Sequence, residues 1–294
     1  MLRSFIMLTL AVAAVNYAAA VEIQNFGSAT FAASRGWAVQ NGTTGSNNFG
    51  FQPTNLALGA SGAGEGGGAF QRPGNIGYYS DLDLDGSFDV TTSLTASGRI
   101  RLSATASPAS DEQVVLGFWN QLNTSVSGAG PHNLDNFIGI RIEPNLTVMA
   151  NAFGGDYEGY NGSGGDANAI RQQVLAANNY DFTLTYTAGG FPLGGGEFNY
   201  GELTAVFTPV GGGPSVTLRN ALNPAQNHLG RPLNAFGLLH VNSTSDANNA
   251  MTLLIDDLSY TSNFVAPVPE PSTFLLTIGG GLALVYRARR KSSR

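Results

Sequence analysis

Apolar and polar residues alternate along most of the chain from residue 21 to residue 264, and clusters of Gly, Asn, Ser and Pro interrupt the alternation. In residues 180–187, large apolar side chains alternate with Asp181, Thr183 and Thr185, as a half-buried antiparallel strand requires. The same pattern predicts further strands, several of them apolar on both faces, over residues 113–119, 136–142, 203–208, 215–219, 235–241 and 251–260.

Many short strands with little helix predict an all-β fold. Residues 168–177 are the segment with room for a helical turn or two, so an alternating β/α architecture is disfavoured. We therefore predict one antiparallel β-sandwich over residues 21–264, in which two sheets pack face to face. The expected core includes the aromatic residues Trp119, Phe137, Phe182, Phe207 and Phe236.

Three glycine-rich stretches, residues 59–68, 154–165 and 189–196, are interpreted as loops. Several aromatic residues lie in or beside them. On exposed loops their rings would stack on sugars, whereas large apolar groups gain by burial. We favour the second interpretation, in which the rings cap the ends of the sandwich. These residues are Tyr157, Tyr160, Phe191, Phe198 and Tyr200.

The stretches at residues 115–119, 137–142 and 253–260 resemble those of laminin-G and concanavalin-A-like jelly rolls. This resemblance implies a jelly-roll β-sandwich. Jelly rolls occur in lectins, hydrolases and structural modules alike, so the resemblance by itself does not select a function.

Charge is distributed unevenly along the chain. From residue 21 to residue 271 there are eight arginines, no lysine and all 20 carboxylates, which gives a net charge of −12. Such a surface repels nucleic acid and anionic lipid, so we expect no nucleic-acid partner. The chain has no cysteine, which excludes disulfides and thiolate chemistry.

The first 20 residues have the features of a signal peptide. Arg3 precedes an apolar run over residues 5–15, and Ala18 and Ala20 occupy the two positions that signal peptidase needs. The alternative is a retained membrane helix, but the run is shorter than the roughly 20 residues that a bilayer core requires. We predict cleavage after Ala20.

Residues 265–294 contain three parts in a fixed order: a Pro-Glu-Pro tripeptide, an apolar stretch over about residues 273–286, and a basic tail over residues 287–294. The prolines hold the first part extended and accessible to an enzyme. The short apolar stretch suits a single transmembrane span, and the positive-inside rule places the tail in the cytoplasm. The basic residues of the tail include Arg287, Arg289, Arg290 and Lys291.

This order closely resembles the PEP-CTERM sorting signal of Gram-negative bacteria, in which Pro-Glu-Pro, a transmembrane stretch and an arginine-rich tail are recognised by an exosortase. Pro269, Glu270 and Pro271 correspond to the motif itself. The resemblance implies insertion into the inner membrane, processing near the motif, and transfer to the cell surface or the extracellular matrix. The alternative is an ordinary single-span tail anchor, which would need no Pro-Glu-Pro.

Alternate carboxylates followed by a glycine suggest a calcium loop after residue 80. Oxygen ligands at the first, third, fifth and ninth positions suit Ca²⁺, and Gly86 permits a sharp turn. However, Thr92 occupies the position at which an EF-hand has a bidentate Glu. The candidate ligands are Asp81, Asp83, Asp85 and Asp89.

The alternative for this segment is an ordinary strand with outward Asp residues, inward Leu82 and Leu84, and an Asp-Gly turn. Asp256 and Asp257 are adjacent acids in another predicted strand, where such acids are usually solvated. Calcium is the cofactor that the sequence suggests.

The sequence contains no recognisable catalytic motif. The histidines, His132, His228 and His240, are far apart and lack metal-ligand spacing. Glu143 and Glu202 lie in or near predicted strands. To act as a retaining glycosidase, their two carboxyl groups would have to be about 5 Å apart. No glycosidase signature surrounds them, so we do not expect an enzyme.

These observations predict an exported surface or matrix protein that signal peptidase and an exosortase process. The body is expected to be a non-catalytic, lectin-like module that associates with extracellular polysaccharide. Two alternatives stay open: a glycosidase or lyase on a jelly-roll fold, and a structural coat protein without a specific ligand.

Overall fold

In the computed structural model, the alternating segments fold as strands that pair into sheets. The residues that the structure describes are 20–24, 26–28, 32–33, 36–40, 50–53, 64–70, 77–82, 84, 88, 92–103, 113–121, 137–143, 145–153, 172–194, 197–221, 233–241 and 251–262.

Fifteen strands are found among these residues. They are β1 Ala20–Gln24, β2 Trp37–Gln40, β3 Gly50–Gln52, β4 Glu65–Phe70, β5 Gly77–Asp81, β6 Leu94–Ser103, β7 Gln113–Trp119, β8 Phe137–Ile142, β9 Thr147–Phe153, β10 Gln172–Val174, β11 Asn178–Gly194, β12 Glu197–Pro209, β13 Val216–Ala221, β14 Ala235–Val241 and β15 Met251–Ser262.

The strands form two sheets. The eight-stranded sheet has the order β13-β12-β11-β6-β15-β4-β3, and β1 also pairs with β15. The seven-stranded sheet has the order β10-β9-β8-β7-β14-β5-β2. Neighbouring strands run antiparallel, and chain neighbours such as β6 and β7 lie in different sheets. The predicted antiparallel β-sandwich is confirmed, and these crossings give it a jelly-roll arrangement.

The alternation in residues 180–187 sets the two faces of β11. Phe182 and Leu184 are buried in the core, whereas Thr183 is exposed on the outer side of the sheet. β11 pairs with β6 on one side and with β12 on the other. All seven predicted strands are confirmed, and two of them match β7 and β14 residue for residue.

The helical turn predicted over residues 168–177 is wrong for the part that the structure describes. Gln172–Val174 forms β10, an edge strand that pairs with β9. The backbone groups of β9 would otherwise lie open at the sheet edge, and pairing them outweighs a weak local helix preference. Residues 168–171 lie outside the described residues.

Most of the described residues of two glycine-rich stretches lie in strands, and not in the predicted loops. β4 contains three consecutive glycines, and β11 continues to Gly194. A Cβ on Gly66 would lie 2.7 Å from the Phe26 ring and 2.9 Å from the Tyr79 ring, so the missing side chain lets these rings pack on the strand. Residues 154–165 lie outside the described residues.

The aromatic residues assigned to glycine-rich loops lie partly in strands. Phe191 is in β11, and Phe198 and Tyr200 are in β12, where the two strands continue as one long hairpin. Tyr157 and Tyr160 lie outside the described residues.

The five aromatic residues predicted for the core are all buried, but they divide between two faces. Phe182, Phe207 and Phe236 lie between the sheets. Trp119 and Phe137 lie on the opposite face of the seven-stranded sheet, because successive residues of a strand point to opposite sides. The cluster on that face also contains Val115, Ala235 and Leu239.

β15 changes its alternation part-way along. Its pairing with β6 shifts between Asp256 and Ser259, and Asp257 has a φ of 50°. Ile255 before this bulge and Leu258 after it both belong to the core between the sheets. The extra residue therefore reverses which side chains face the interior.

Candidate functional site

The sorting and signal residues predicted from the sequence lie mostly outside the described residues. Ala20 is the first residue of β1. The structure does not describe Ala18, Pro269, Glu270, Pro271, Arg287, Arg289, Arg290 and Lys291. In the part of the chain that it does describe, no helix is long and apolar enough to cross a membrane.

Asp81, the first candidate calcium ligand, is the last residue of β5 and is 3% exposed. Its Oδ2 accepts a hydrogen bond from Tyr260 Oη at 2.7 Å. Tyr260 Oη in turn accepts one from Trp37 Nε1 at 3.2 Å. Asp81 therefore faces the interior, and its hydrogen bond joins the two sheets. The alternative of an ordinary strand with outward Asp residues is wrong for Asp81.

The other candidate calcium ligands, Asp83, Asp85 and Asp89, lie outside the described residues. Where the structure does describe the chain, no group of three or more His, Asp or Glu side chains is placed to hold a metal ion. Calcium binding by this segment stays a prediction.

The two glutamates considered for glycosidase chemistry are in different sheets. Glu143 follows β8 and forms an ion pair with Arg141 at 2.8 Å. Glu202 lies on β12 and accepts hydrogen bonds from both Nε and Nη2 of Arg219, the shortest at 2.7 Å. Each carboxylate is therefore engaged by an arginine of its own sheet.

His240 is the histidine that the structure describes. It lies on β14 with its side chain buried, and this burial lowers the pKa of the imidazole from 6.5 to about 3. A neutral, buried imidazole is a core residue and not a surface base. His132 and His228 lie outside the described residues.

The outer side of β13, β12, β11 and β6 carries a regular array of hydroxyl groups, which we call the hydroxyl face. Thr185 lies directly opposite Thr204 on one neighbouring strand and Thr95 on the other. Neighbouring strands are about 4.8 Å apart, so the hydroxyl groups form rows across the sheet. The face contains Thr95, Ser97, Thr183, Thr185, Thr204, Thr208, Ser215 and Thr217, all at least partly exposed.

Two cross-strand ion pairs lie on the hydroxyl face. Arg99 Nε contacts Asp181 Oδ1 at 2.8 Å, and Arg219 pairs with Glu202 as described above. The hydrogen bond to Asp181 raises the pKa of Arg99. Because each pair combines opposite charges, these four residues add no net charge to the face.

A polar cleft of about 210 Å³ opens where β6 ends and β11 begins. Arg101 Nε donates a hydrogen bond to Ser103 Oγ at 3.3 Å. The backbone N–H of Asn179 donates to Asn178 Oδ1 at 2.8 Å. The cleft is lined by Arg101, Leu102, Ser103, Ala177, Asn178 and Asn179, and we call it the Arg101 cleft.

The Arg101 cleft offers donors and acceptors together. Guanidinium groups donate hydrogen bonds, whereas hydroxyl and amide side chains both donate and accept them, which suits a ligand rich in hydroxyl groups. Its volume is below the range of about 300–1,000 Å³ typical of drug-sized ligands, so it would hold a single small ring. Sequence analysis missed this site, although the pair Asn178-Asn179 before a clear strand was a visible signal.

Comparison with known families identifies a segment outside the described residues. Residues 267–291 match the model of the PEP-CTERM protein-sorting motif. This chain carries a PEP-CTERM sorting motif. The match includes the predicted Pro-Glu-Pro, the apolar stretch and the basic residues up to Lys291. A PEP-CTERM motif implies export, anchoring in the membrane and processing by an exosortase.

Several solved structures are distantly similar to most of the PEP-CTERM chain. A protein of unknown function from Shewanella oneidensis MR-1 is 14% identical, with 85% of this chain and 81% of that chain covered and a TM-score of 0.40. Winged bean acidic lectin, complexed with methyl-α-D-galactose, is 12% identical, with coverages of 83% and 99% and a TM-score of 0.44. Metal-free lectin I-B4 from Griffonia simplicifolia is 11% identical, with coverages of 83% and 100% and a TM-score of 0.45. No curated protein matches the chain in sequence.

Proposed function

We propose that this PEP-CTERM protein is delivered to the cell surface or the extracellular matrix, where it associates with exopolysaccharide as a non-catalytic, lectin-like module. The observation that carries the proposal is the sorting motif at residues 267–291. Signal peptidase would remove residues 1–20, and residues 273–286 would hold the protein in the inner membrane until exosortase acts.

The body has properties that suit this destination. Residues 21–264 are proposed as one ectodomain, and the net charge of −12 between residues 21 and 271 opposes binding to nucleic acid and to anionic lipid. A polysaccharide rich in hydroxyl groups carries no such penalty. Both the hydroxyl face and the Arg101 cleft present hydrogen-bonding groups to it.

Within this proposal, the Arg101 cleft holds one sugar ring and the hydroxyl face contacts the rest of the glycan. Arg101 and Ser103 lie on β6, and Asn179 lies on the paired strand β11, so a sheet fixes their spacing. Groups held on strands lose little freedom when a ligand binds, which favours binding by a rigid surface.

The sorting step is tested in the cells that make the protein. Replacing Pro269, Glu270 and Pro271 with alanine should keep the protein in the inner membrane, whereas the wild type should reach the surface without its basic tail. Intact mass and cell fractionation measure both outcomes. Wild-type protein that retains Arg294, or a triple variant with unaltered transport, would contradict exosortase sorting.

Sugar binding is tested separately, on a glycan array with and without calcium and with a reducing-sugar assay alongside. Arg101→Ala should weaken binding at least tenfold, and the matched control Arg141→Ala, on β8 of the other sheet, should not. Release of reducing sugar would identify a carbohydrate-active enzyme. No binding by the wild type would favour a structural coat protein.

A further inference from the structure

One row of polar side chains crosses the hydroxyl face from β6 to β13. Thr185 on β11 is paired with Thr95 on β6 and with Thr204 on β12. Thr204 is in turn paired with Arg219 on β13. Residues directly opposite each other in antiparallel strands point to the same side of the sheet, and these four are all at least partly exposed. Four adjacent strands therefore each contribute one polar side chain, and we call this set the threonine row.

The next two rows along the strands have a different composition. Thr183 is paired with Ser97 on one side, but with the apolar Val206 on the other. In the row after that, Arg99 and Asp181 form an ion pair at 2.8 Å. Hydroxyl groups lie on three neighbouring strands without interruption in the threonine row, and not in these two.

The side chains of the threonine row offer both donors and acceptors. Thr204 Oγ1 donates its proton to Glu202 Oε1 at 3.3 Å, so its oxygen is left as an acceptor. Arg219 Nη2 donates to the same carboxylate at 2.7 Å, which fixes the guanidinium at the end of the row. Thr185, in the middle of the row, is exposed. A sugar hydroxyl group, which both donates and accepts, suits each of these positions.

The spacing of the row matches a chain of linked sugar rings. Neighbouring strands are about 4.8 Å apart, and an extended chain of β-1,4-linked hexoses advances by about the same distance at each ring. A chain that lies across the strands therefore meets one side chain per ring. Along a strand, the side chains of one face repeat about every 6.8 Å, so a chain in that direction loses register with them.

The charges around the row favour an uncharged chain. Arg219 and Glu202 neutralise each other through contacts of 2.9 and 2.7 Å, and Arg99 is paired with Asp181. These four residues add no positive charge that would attract a polyanion. The net charge of −12 between residues 21 and 271 repels one.

The twist of the sheet restricts the ligand further. Neighbouring strands are rotated by about 20–25° relative to each other, so a chain that follows the row turns by a similar angle at each ring. A single chain can turn in this way about its linkages, whereas a chain fixed within a flat crystal cannot. The row therefore suits single chains and not a crystalline surface.

We propose that the threonine row binds an extended, uncharged chain of β-1,4-linked hexoses, which lies across the strands with one sugar ring on each. This inference rests on the proposed association with exopolysaccharide, and it names the class of glycan and its direction on the face. Thr95 and Arg101 are six positions apart on β6, or about 20 Å. The row thus contacts a different part of the polysaccharide from the Arg101 cleft.

Isothermal titration calorimetry of the full chain with cello-oligosaccharides of two to six glucose residues tests the proposal. The protein is kept in a polyoxyethylene detergent, which contains no sugar. Affinity should rise with each ring up to cellotetraose and then level off, because the row crosses four strands. Maltotetraose, which is α-1,4-linked and coiled, and the charged β-1,4-linked tetramer of mannuronate should bind at least about tenfold more weakly. Suspended crystalline cellulose should not remove the protein from solution.

Two double variants, each of which lacks two hydroxyl groups, test the direction of the chain. Thr185→Val with Thr204→Val removes two hydroxyl groups from the row. Thr183→Val with Thr185→Val removes two from one strand but only one from the row. A hydrogen bond contributes about fivefold to affinity, so the first pair should weaken cellotetraose binding about 25-fold and the second about fivefold. Valine is β-branched like threonine, so both variants should fold, which circular dichroism checks.

Equal losses in the two double variants, or a larger loss in the second, would overturn the proposed direction. Affinity that does not depend on chain length, or equal binding of maltotetraose, would overturn the match to the strands. If the glycan array shows binding of other glycans and the titration shows none of cello-oligosaccharides, this inference fails and the proposed function stands. If no glycan binds, both fail. If a double variant fails to fold, Thr204→Val should still weaken binding more than Thr183→Val.

Discussion

Replacing Tyr260 with phenylalanine tests the polar contact that joins the two sheets. The change removes Oη, which donates to Asp81 Oδ2 at 2.7 Å and accepts from Trp37 Nε1 at 3.2 Å. The ring itself is retained, and its stacking on Phe236, with ring centroids 4.2 Å apart, needs no hydroxyl group. The expected loss of stability therefore comes from the hydrogen bonds and not from packing.

The size of the loss follows from the two bonds. A hydrogen bond to a charged group contributes about 1.5–3 kcal/mol, and one between neutral groups about 1 kcal/mol. Losing both lowers the free energy of unfolding by about 3 kcal/mol. For a body of this size each kcal/mol shifts Tm by about 2–4 °C, so the variant should melt about 6–12 °C below the wild type.

Tyr180→Phe is the matched control. Tyr180 Oη donates one hydrogen bond, to the backbone oxygen of Ala176 at 2.9 Å, and its partner is neutral. Its loss should cost about 1 kcal/mol. Thermal unfolding followed by near-UV circular dichroism compares the variants at one pH. If Tyr260→Phe melts no lower than Tyr180→Phe, the contact with Asp81 does not stabilise the sandwich.

Three further outcomes are expected. Because the pKa of His240 is lowered to about 3, between pH 6.5 and pH 3 a proton binds to this imidazole in the unfolded state but not in the folded state. The free energy of unfolding should therefore fall as the pH falls through this range. His240→Leu should remove this contribution to the pH dependence, as measured by urea titrations. Gly67→Ala should lower the free energy of unfolding by at least about 2 kcal/mol, because φ is +112° and a Cβ would collide with the backbone oxygen of Leu253. Gly212 has a φ of +88° and open space around it, so Gly212→Ala should lower it by only about 1 kcal/mol. Thermal melting measures both. If the candidate calcium loop over residues 81–89 binds calcium, Tm should be higher in calcium than in chelator, and Asp85→Asn should abolish the difference.

Apolar runs along the chain were sufficient to find two inner strands of the seven-stranded sheet, β7 and β14. The apolar residues of β7 and β14 are buried on both faces of their sheet, so the sequence shows a continuous apolar run at each strand. β6 shows alternation as well, with Ile100 and Leu102 inward and Arg99 and Arg101 outward, but it is absent from the predicted strands. Glycine and arginine residues within β6 weaken its strand pattern in the sequence. Its position between β11 and β15 in the sheet explains why it is nevertheless a strand.

Other features depend on contacts that no local pattern contains. The glycine-rich composition of β4 favours a loop. The strand is packed against the rings of Phe26 and Tyr79, which come from elsewhere in the sequence. Asp256 looks like a surface acid in the sequence, but in the fold it is only 1% exposed, so the expectation that it is solvated is wrong. The Arg101 cleft likewise needs the pairing of β6 with β11, which joins residues about 80 positions apart.

The sorting motif differs from these features, because it can be recognised in the sequence alone. Its order of Pro-Glu-Pro, apolar stretch and basic tail is local, and the family match over residues 267–291 confirms it. Signals of this kind can be predicted from the sequence without the fold, whereas the ligand of a folded surface depends on which side chains the strands bring together.

The bulge in β15 decides whether the interior bond can exist. Tyr260 reaches Asp81 because one additional residue, inserted between Asp256 and Ser259, changes the phase of the strand. A strand shortened by one residue at Asp257 would turn the phenol of Tyr260 away from Asp81 and carry a neighbouring hydroxyl side chain into the apolar layer. Asp257, whose backbone is in the left-handed region, thus provides the one additional residue that aligns the last strand with the opposite sheet.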